Sequence, residues 1–307
     1  MDTRRLVSFI KVVDLGSLTK AANVLNVAQP ALSQQIAQLE SEFGEQLLIR
    51  SPRGVTTTEA GLVLYRQAYL ILRQLNEAHR AIKRQGPGLA GTVKVGLAPF
   101  STAGMFALPL LEQIRGSHPG ILLHIHDYFG VVLSELLLKG TLDLALLYGY
   151  NAVRGLRYTV VLEEEWCLCG VTGALDTQDA PIALADLSAI DLLLPTQTTF
   201  LRGMVERACA KAGFSPRVVA EIESVPVLTG ALTAGLGATV LPRTIAEALR
   251  RDTPLGIRRI ISPALRAPLS LCQVESPPES PAVAAVQDTL LGCVRDFLAT
   301  SLKRVPI

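Results

Sequence analysis

Hydroxyl and amide side chains dominate one short stretch of this 307-residue chain, at Ser33, Gln34, Gln35 and Gln38. Their spacing puts them on a helix surface without the Lys and Glu that solvated helices normally carry. Such groups donate to phosphates and pair with base edges in the major groove of DNA. Arg50 and Arg53, flanking the turn Ser51-Pro52-Arg53-Gly54, would reach phosphate or minor groove. A second kind of chemistry sits further along, where two Pro-x-x-Thr turns run from Pro99 to Thr102 and from Pro195 to Thr198. They place Ser101, Thr102, Thr196, Gln197, Thr198 and Thr199 at the mouths of helices, where free N–H groups and the helix dipole favour an anion. Helix capping needs the same residue types, and the sequence leaves both readings open.

Other reactive groups point to no reaction. His124 and His126 share one strand face beside Asp127, but no third ligand stands at a suitable spacing, so no metal is expected. The five cysteines, Cys167, Cys169, Cys209, Cys272 and Cys293, lie in apolar surroundings without a C-x-x-C pair and read as buried thiols. Cys167 and Cys169 fall on one strand face, which keeps a redox role open. GPGLAG at 86–91 matches G-x-G-x-x-G, yet it leaves a helix, contains Pro87 and opens a strand, which suits a hinge. No G-x-S-x-G, phosphate loop or H-E-x-x-H is present, so the expectation is no enzyme and no cofactor.

The elements that must position these groups are legible in the apolar spacing. Leu18, Ala21, Ala22 and Leu25 predict a short helix capped by Ser17, with the alanine pair allowing close approach. Pro30 suits the first position of a second helix, with Gln29 as its cap and Leu32, Ile36 and Leu39 as its stripe. Leu6, Phe9, Ile10 and Val13 predict a preceding helix over 4–13. Short strands are expected at Gln46 to Arg50 and Val55 to Thr57. Thr56 to Glu59 match a capping box that opens a long helix. Along it Leu64, Ala68, Ile71, Leu75, Ala78 and Ile82 form an a/d seam, with a second stripe at Leu62, Tyr65, Tyr69 and Leu72. One stripe can meet a second copy of the chain and the other the preceding helices and strands, and a dimer reads a two-fold symmetric site.

AANVLNVAQPALSQQIAQLE followed by LLIRSPRGVTTTEAG resembles the LysR-type transcriptional regulators, and the resemblance runs over most of the chain. It implies an α/β protein with an N-terminal winged helix-turn-helix, a dimerising linker helix and a two-lobed effector domain like periplasmic solute-binding proteins. It places DNA contacts at Ser17, Gln29, Pro30, Ser33, Gln34, Arg50 and Arg53. It also implies a small effector, often a carboxylate or other anion, held by Ser101, Thr102, Gln197, Thr198 and Thr199, although Phe100 and Phe200 flank both turns and would narrow the cleft. The implied partners are double-stranded DNA of interrupted two-fold symmetry, a second copy in a dimer or tetramer, and RNA polymerase, with a link to nitrogen or catabolic metabolism. The alternative is an α/β solute-binding or enzymatic domain whose helical head serves protein contacts.

Composition agrees with that division of labour. The whole chain is nearly neutral at +2, but residues 1–90 carry 11 Lys or Arg against 7 Asp or Glu, whereas residues 91–307 carry 18 against 20. The first residues hold too many charges for a secretory signal, and Pro and Gly interrupt the longest uncharged run, so a cytoplasmic protein without membrane contact is expected. The expected domains are 1–58 for the head, 59–90 for the linker helix and hinge, and 91–307 for the effector region. Within the last, lobe I takes about 91–161 and 266–303, and lobe II about 162–265. From Thr92 short apolar strands alternate with helices, which predicts mainly parallel sheets with helices on both faces and two similar half-domains.

Overall fold

The computed structural model describes residues 2–52, 54–83, 89–149, 153–171, 180–275 and 280–302. The chain divides into two compact units, Met1–Gly91 with Leu138–Thr141, and Thr92–Leu137 with Leu142–Ile307. No helix among the described residues is long and apolar enough to cross a membrane.

The first unit opens with three helices, α1 (Thr3–Leu15), α2 (Leu18–Leu25) and α3 (Gln29–Phe43). Ser17 caps α2 as expected, its hydroxyl accepting the Lys20 N–H. Gln29 is not the cap of α3: Ala28 holds the extended cap conformation without a side-chain bond, so Gln29 and Pro30 form the first turn. Pro30 remains harmless there because the first-turn N–H groups have no helical partner. Leu6, Phe9, Ala21, Leu32, Ile36 and Leu39 are fully buried and form the core between the three helices. Each large apolar side chain so buried contributes about 1.5–3 kcal/mol.

A hairpin of β1 (Leu48–Ser51) and β2 (Gly54–Thr57) follows, pairing Leu48 with Thr57 and Ser51 with Gly54. It docks on the α1–α2 turn through the Val55 N–H on the Gly16 carbonyl, 2.8 Å. Gly54 makes that approach feasible, since it adopts φ +125° and a Cβ there would lie 2.6 Å from the Gly16 oxygen. The long helix α4 (Glu59–Lys83) starts from Thr58, whose hydroxyl accepts the Gly61 N–H at 2.9 Å and donates to the Gln46 carbonyl. Thr56 and Thr57 belong to the β2 ladder, so the capping box starting at Thr56 is not used. The two stripes of α4 also sort differently from expectation. Leu64 and Ala68 of the a/d seam are buried in the head core beside Tyr65, whereas Ile71 and Leu75 are over a third exposed. The Ile82 side chain, Arg53 and residues 84–88, on which part of the expected hinge falls, lie outside the described residues.

The second unit contains one mixed sheet built from β3 (Ala90–Leu97), β4 (Gly120–Asp127), β5 (Leu144–Tyr148), β6 (Leu156–Val171), β7 (Ile182–Ala183), β8 (Asp191–Leu194), β9 (Arg217–Glu221), β10 (Ala238–Pro242), β11 (Leu255–Ile261) and β12 (Arg266–Val274). Its helices are α5 (Ala107–Ser117), α6 (Gly130–Leu138), α7 (Phe200–Lys211), α8 (Val225–Thr233), α9 (Arg243–Arg250) and α10 (Pro281–Leu302). Parallel pairs β3–β5 and β8–β9 sit in the two halves, as the alternation predicts. The centre is antiparallel because β6 is long enough to serve both halves. Its first part, to Glu165, pairs with β12; its last part, from Trp166, pairs with β10. The change of partner comes after Glu165, later than the lobe boundary expected near residue 161.

Candidate nucleic-acid interface and interlobe cleft

On the head, α3 turns Leu32, Ile36 and Leu39 inward and leaves Gln29, Pro30, Gln34 and Gln38 exposed. Among the described residues none of those three glutamines has a recorded protein partner, so their amides are available to a ligand. Ser33 is half-buried and accepts a 2.9 Å bond from the Arg50 guanidinium, which ties the hairpin to α3 and puts Arg50 beside the amide face. Gln35 differs from its neighbours. Its Oε1 accepts the Ser8 hydroxyl at 2.6 Å and pins α3 to α1, so it is structural. Glu40, unnoticed in the sequence, accepts the N–H groups of Leu47 and Leu48 at 2.9 and 3.1 Å and fixes where the hairpin begins. Tyr65 and Tyr69 of α4 both donate to Asp14 at the end of α1, and burial together with that carboxylate pushes the Tyr65 phenol far up.

In the second unit the two Pro-x-x-Thr turns behave unequally. Ser101 is buried, donates to the Ala98 carbonyl and accepts the Ala103 N–H at 3.1 Å, so it caps a short 3-10 turn at Thr102–Phe106. Thr102 is fully buried and donates to Glu164, whose other oxygen accepts the Tyr148 hydroxyl. Thr199 caps α7, donating to the Thr196 carbonyl at 2.9 Å and accepting the Arg202 N–H. Arg202, itself buried, holds the same turn through the Pro195 carbonyl at 3.2 Å and ion pairs with Glu206 and Glu221. Only Gln197 and Thr198 of the five expected effector residues are exposed, and Thr198 stands 3.3 Å from the Thr196 hydroxyl.

Aromatic side chains occupy the space between the turns. Phe100 lies 6.0 Å from Phe129, and Tyr148 packs on both Trp166 at 5.0 Å and Phe200 at 5.7 Å, centroid to centroid. They leave a cavity of about 30 Å³, the size of one water. Glu164 is the residue the sequence reading missed. Burial drives its carboxyl pKa up, although the Thr102 and Tyr148 hydroxyls both pull it down. Strand alternation could have found it: in Glu163-Glu164-Glu165-Trp166, Glu164 falls on the face opposite its two neighbours, and a carboxylate there needs partners.

The remaining titratable clusters are occupied by packing. The His124 and His126 rings meet edge to face at 5.7 Å and His126 stacks on Tyr128. All five thiols are buried; burial pushes Cys167 up to about 12 and Cys209 to about 11, so neither forms a thiolate near neutrality.

Comparison with known proteins agrees with this arrangement. Residues 3–62 match the bacterial regulatory helix-turn-helix protein, lysR family, and residues 86–292 match the LysR substrate binding domain. The chain is 41% identical over 297 residues to the nitrogen assimilation regulatory protein nac of Klebsiella aerogenes, covering 96% of this chain and 95% of that protein. The same protein of Escherichia coli is 40% identical over an equal span. Among solved structures, ArgP from Mycobacterium tuberculosis superposes with a TM-score of 0.72 at 21% identity, covering 96% of this chain and 97% of that one. Full-length CbnR complexed with its target DNA gives 0.53 at 24% identity, covering 96% and 100%. The solute-binding or enzymatic alternative finds no support among these relatives. The chain belongs to the LysR family of bacterial helix-turn-helix transcriptional regulators.

Proposed function

We propose that this regulator binds duplex DNA of interrupted two-fold symmetry through Gln29 and Gln34 of α3, with Ser17, Pro30, Ser33 and Arg50 around them. Arg53, which the resemblance also assigns to DNA, lies outside the described residues. The supporting observation is the pair of exposed, unpartnered amides of Gln29 and Gln34, with Ser33 beside them bonded to Arg50. Two copies, or four, assemble through α4, where Ile71 and Leu75 keep exposed apolar surface. The protein acts in the cytoplasm with RNA polymerase as its downstream partner. The similarity to the nac proteins favours nitrogen assimilation as its field of action. A footprint on the DNA upstream of its own gene tests the reading. Protection of paired half-sites that weakens steeply with salt supports it, because phosphate contacts release counterions. A head that serves only protein contacts would protect nothing.

The cleft is proposed to work by competition. Thr102 and Tyr148 hold the Glu164 carboxylate where the resemblance puts an anionic effector. A small carboxylate entering between the turns, reaching Gln197 and Thr198 first, must displace Glu164 from those hydroxyls. Its binding energy is then spent on shifting the population of lobe arrangements rather than on affinity alone.

A further inference from the structure

Phe100 separates the small aromatic cavity from a second one that the anion chemistry does not explain. This outer cavity, about 440 Å³, lies between the two lobes and is lined from lobe I by Pro99, Phe100, Met105 and Ile125 and from lobe II by Leu228 and Leu249. Its volume falls in the range of small-molecule sites, and its walls are mostly apolar. The two hydroxyls on it are already engaged, Ser101 with the Ala98 carbonyl and Thr229 with the Val225 carbonyl. Asp127 is the only charged residue in the lining, and withdrawal from water pushes its carboxyl pKa up. Among the described residues no cation is recorded against it. Phe100, shared by both cavities, has φ +54°. That backbone conformation is a costly one for a bulky side chain, and such outliers cluster at ligand clamps and switches.

We propose that the outer cavity binds an apolar amine, with the hydrocarbon body against Phe100 and Leu228 and the ammonium at Asp127. An apolar body fills walls that offer no free hydrogen bond, and the cationic head meets the single carboxylate. A carboxylate ligand of the same shape would face that charge unpaired. A ligand seated there presses on Phe100, and through the Phe100–Phe129 contact on the aromatic cluster around Glu164. That consequence rests on the cleft proposed above; the binding itself does not, and is measured without DNA.

The test uses calorimetric titration of the full chain with 2-phenylethylamine, 2-phenylethanol and phenylacetate, three probes of similar shape and different charge. The amine is expected to bind tightest and phenylacetate weakest. Asp127→Asn should reduce amine affinity about threefold to fivefold, the scale of a half-exposed ion pair, and leave the alcohol unchanged. Gly104 gives a blocking variant that spares the fold, because it lines the cavity and a Cβ there meets nothing within 4 Å. Gly104→Phe should abolish binding of all three probes at an unchanged melting temperature. Phenylacetate binding as well as the amine overturns the proposal, as does the absence of any binding at millimolar concentration. Amine binding that survives Gly104→Phe places it elsewhere and overturns it too. A changed oligomeric state in that variant without ligand would assign the cavity to a second copy and have the same effect. If the amine binds as expected while carboxylates never compete with Glu164, the cleft reading fails and this one stands.

Discussion

The head and the cleft draw on the same kinds of side chain and arrive at opposite results. In both, hydroxyl and amide groups accompany a helix that begins beside a proline, along α3 after Pro30 and at the turns after Pro99 and Pro195. On α3 the amides of Gln29, Gln34 and Gln38 remain exposed. At the cleft Ser101, Thr102 and Thr199 are at most 6% exposed, and each spends its hydroxyl on the chain itself. The difference is set by what packs opposite. α3 buries only its apolar stripe, whereas the cleft turns are covered by aromatic rings and by β6 with its own carboxylate. A residue type chooses the chemistry available; the covering element decides whether that chemistry points outward or inward.

The largest expected effect strikes the frame of the outward region. At Gly61 an added Cβ would stand 2.0 Å from the Leu47 carbonyl oxygen, which is backbone on both sides and cannot rotate away. Gly61→Ala should therefore displace α4 from the hairpin, destabilise the head by about 3 kcal/mol or more and remove binding to every DNA sequence. Wild-type melting and wild-type gel shifts in that variant would show that the head does not need this packing.

Next in size is the inward hydroxyl. Thr102→Val deletes a donor to a buried carboxylate at nearly constant volume, which should cost about 2 kcal/mol and lower the melting midpoint by roughly 4–8 °C. Glu164 supplies a pH test of the same bond network. Its folded pKa is raised, so the stability its protonated form contributes is present below the ordinary carboxylate range and lost as pH rises through the folded value. Glu164→Gln escapes that loss. The variant should melt higher than wild type at neutral pH, with the gap closing on acidification; a gap that does not change with pH would remove Glu164 from the account.

A comparable energy is expected from the outward amides, but in binding rather than folding. Gln34→Ala should cost about 1–3 kcal/mol in specific DNA affinity and leave non-specific binding nearly unchanged. Arg50→Ala should weaken all sequences alike and reduce the salt slope by about one. Equal loss of specific and non-specific binding in Gln34→Ala would erase the distinction between an amide that reads bases and a guanidinium that meets phosphate.

Much of this is legible in the sequence, because helix position depends on local periodicity. Leu32, Ile36 and Leu39 mark the buried stripe of α3, and Ser17 its neighbour's cap. What escaped depends on partners distant in sequence. Nothing near Gln35 tells it from Gln34, since the difference is Ser8 on another helix. Thr56 satisfies the capping pattern as well as Thr58 does, but pairing of Thr56 with Ile49 in the hairpin excludes it from the helix. The a/d seam of α4 reads as continuous, yet Leu64 and Ala68 are claimed by the head while Ile71 and Leu75 are not. Thr102 is 62 residues from the glutamate that binds it.

The smallest expected effect is the sharpest test of the comparison, because it contrasts two threonines that occupy matching places in the sequence. Thr198 is the counterpart of Thr102 in the second Pro-x-x-Thr turn, yet it is exposed and its hydroxyl meets only the Thr196 hydroxyl at 3.3 Å, while Thr196 itself donates to Glu223. Water can replace what Thr198 loses, so Thr198→Val should change stability by no more than about 0.5 kcal/mol, against the larger loss for Thr102→Val. The two variants should then separate in the other direction when a small carboxylate is added. Thr198 has no internal commitment to surrender, so its loss should weaken any stabilisation that the ligand gives the wild type without moving the ligand-free melting point. Thr102→Val should lower the ligand-free melting point and also free Glu164 from one of its two hydroxyl partners, easing entry of a competing anion while removing one of its donors. Equal destabilisation by the two substitutions would mean that the turns are structural equivalents after all, and that the covering aromatic rings, rather than the Glu164 bond, make Thr102 inward.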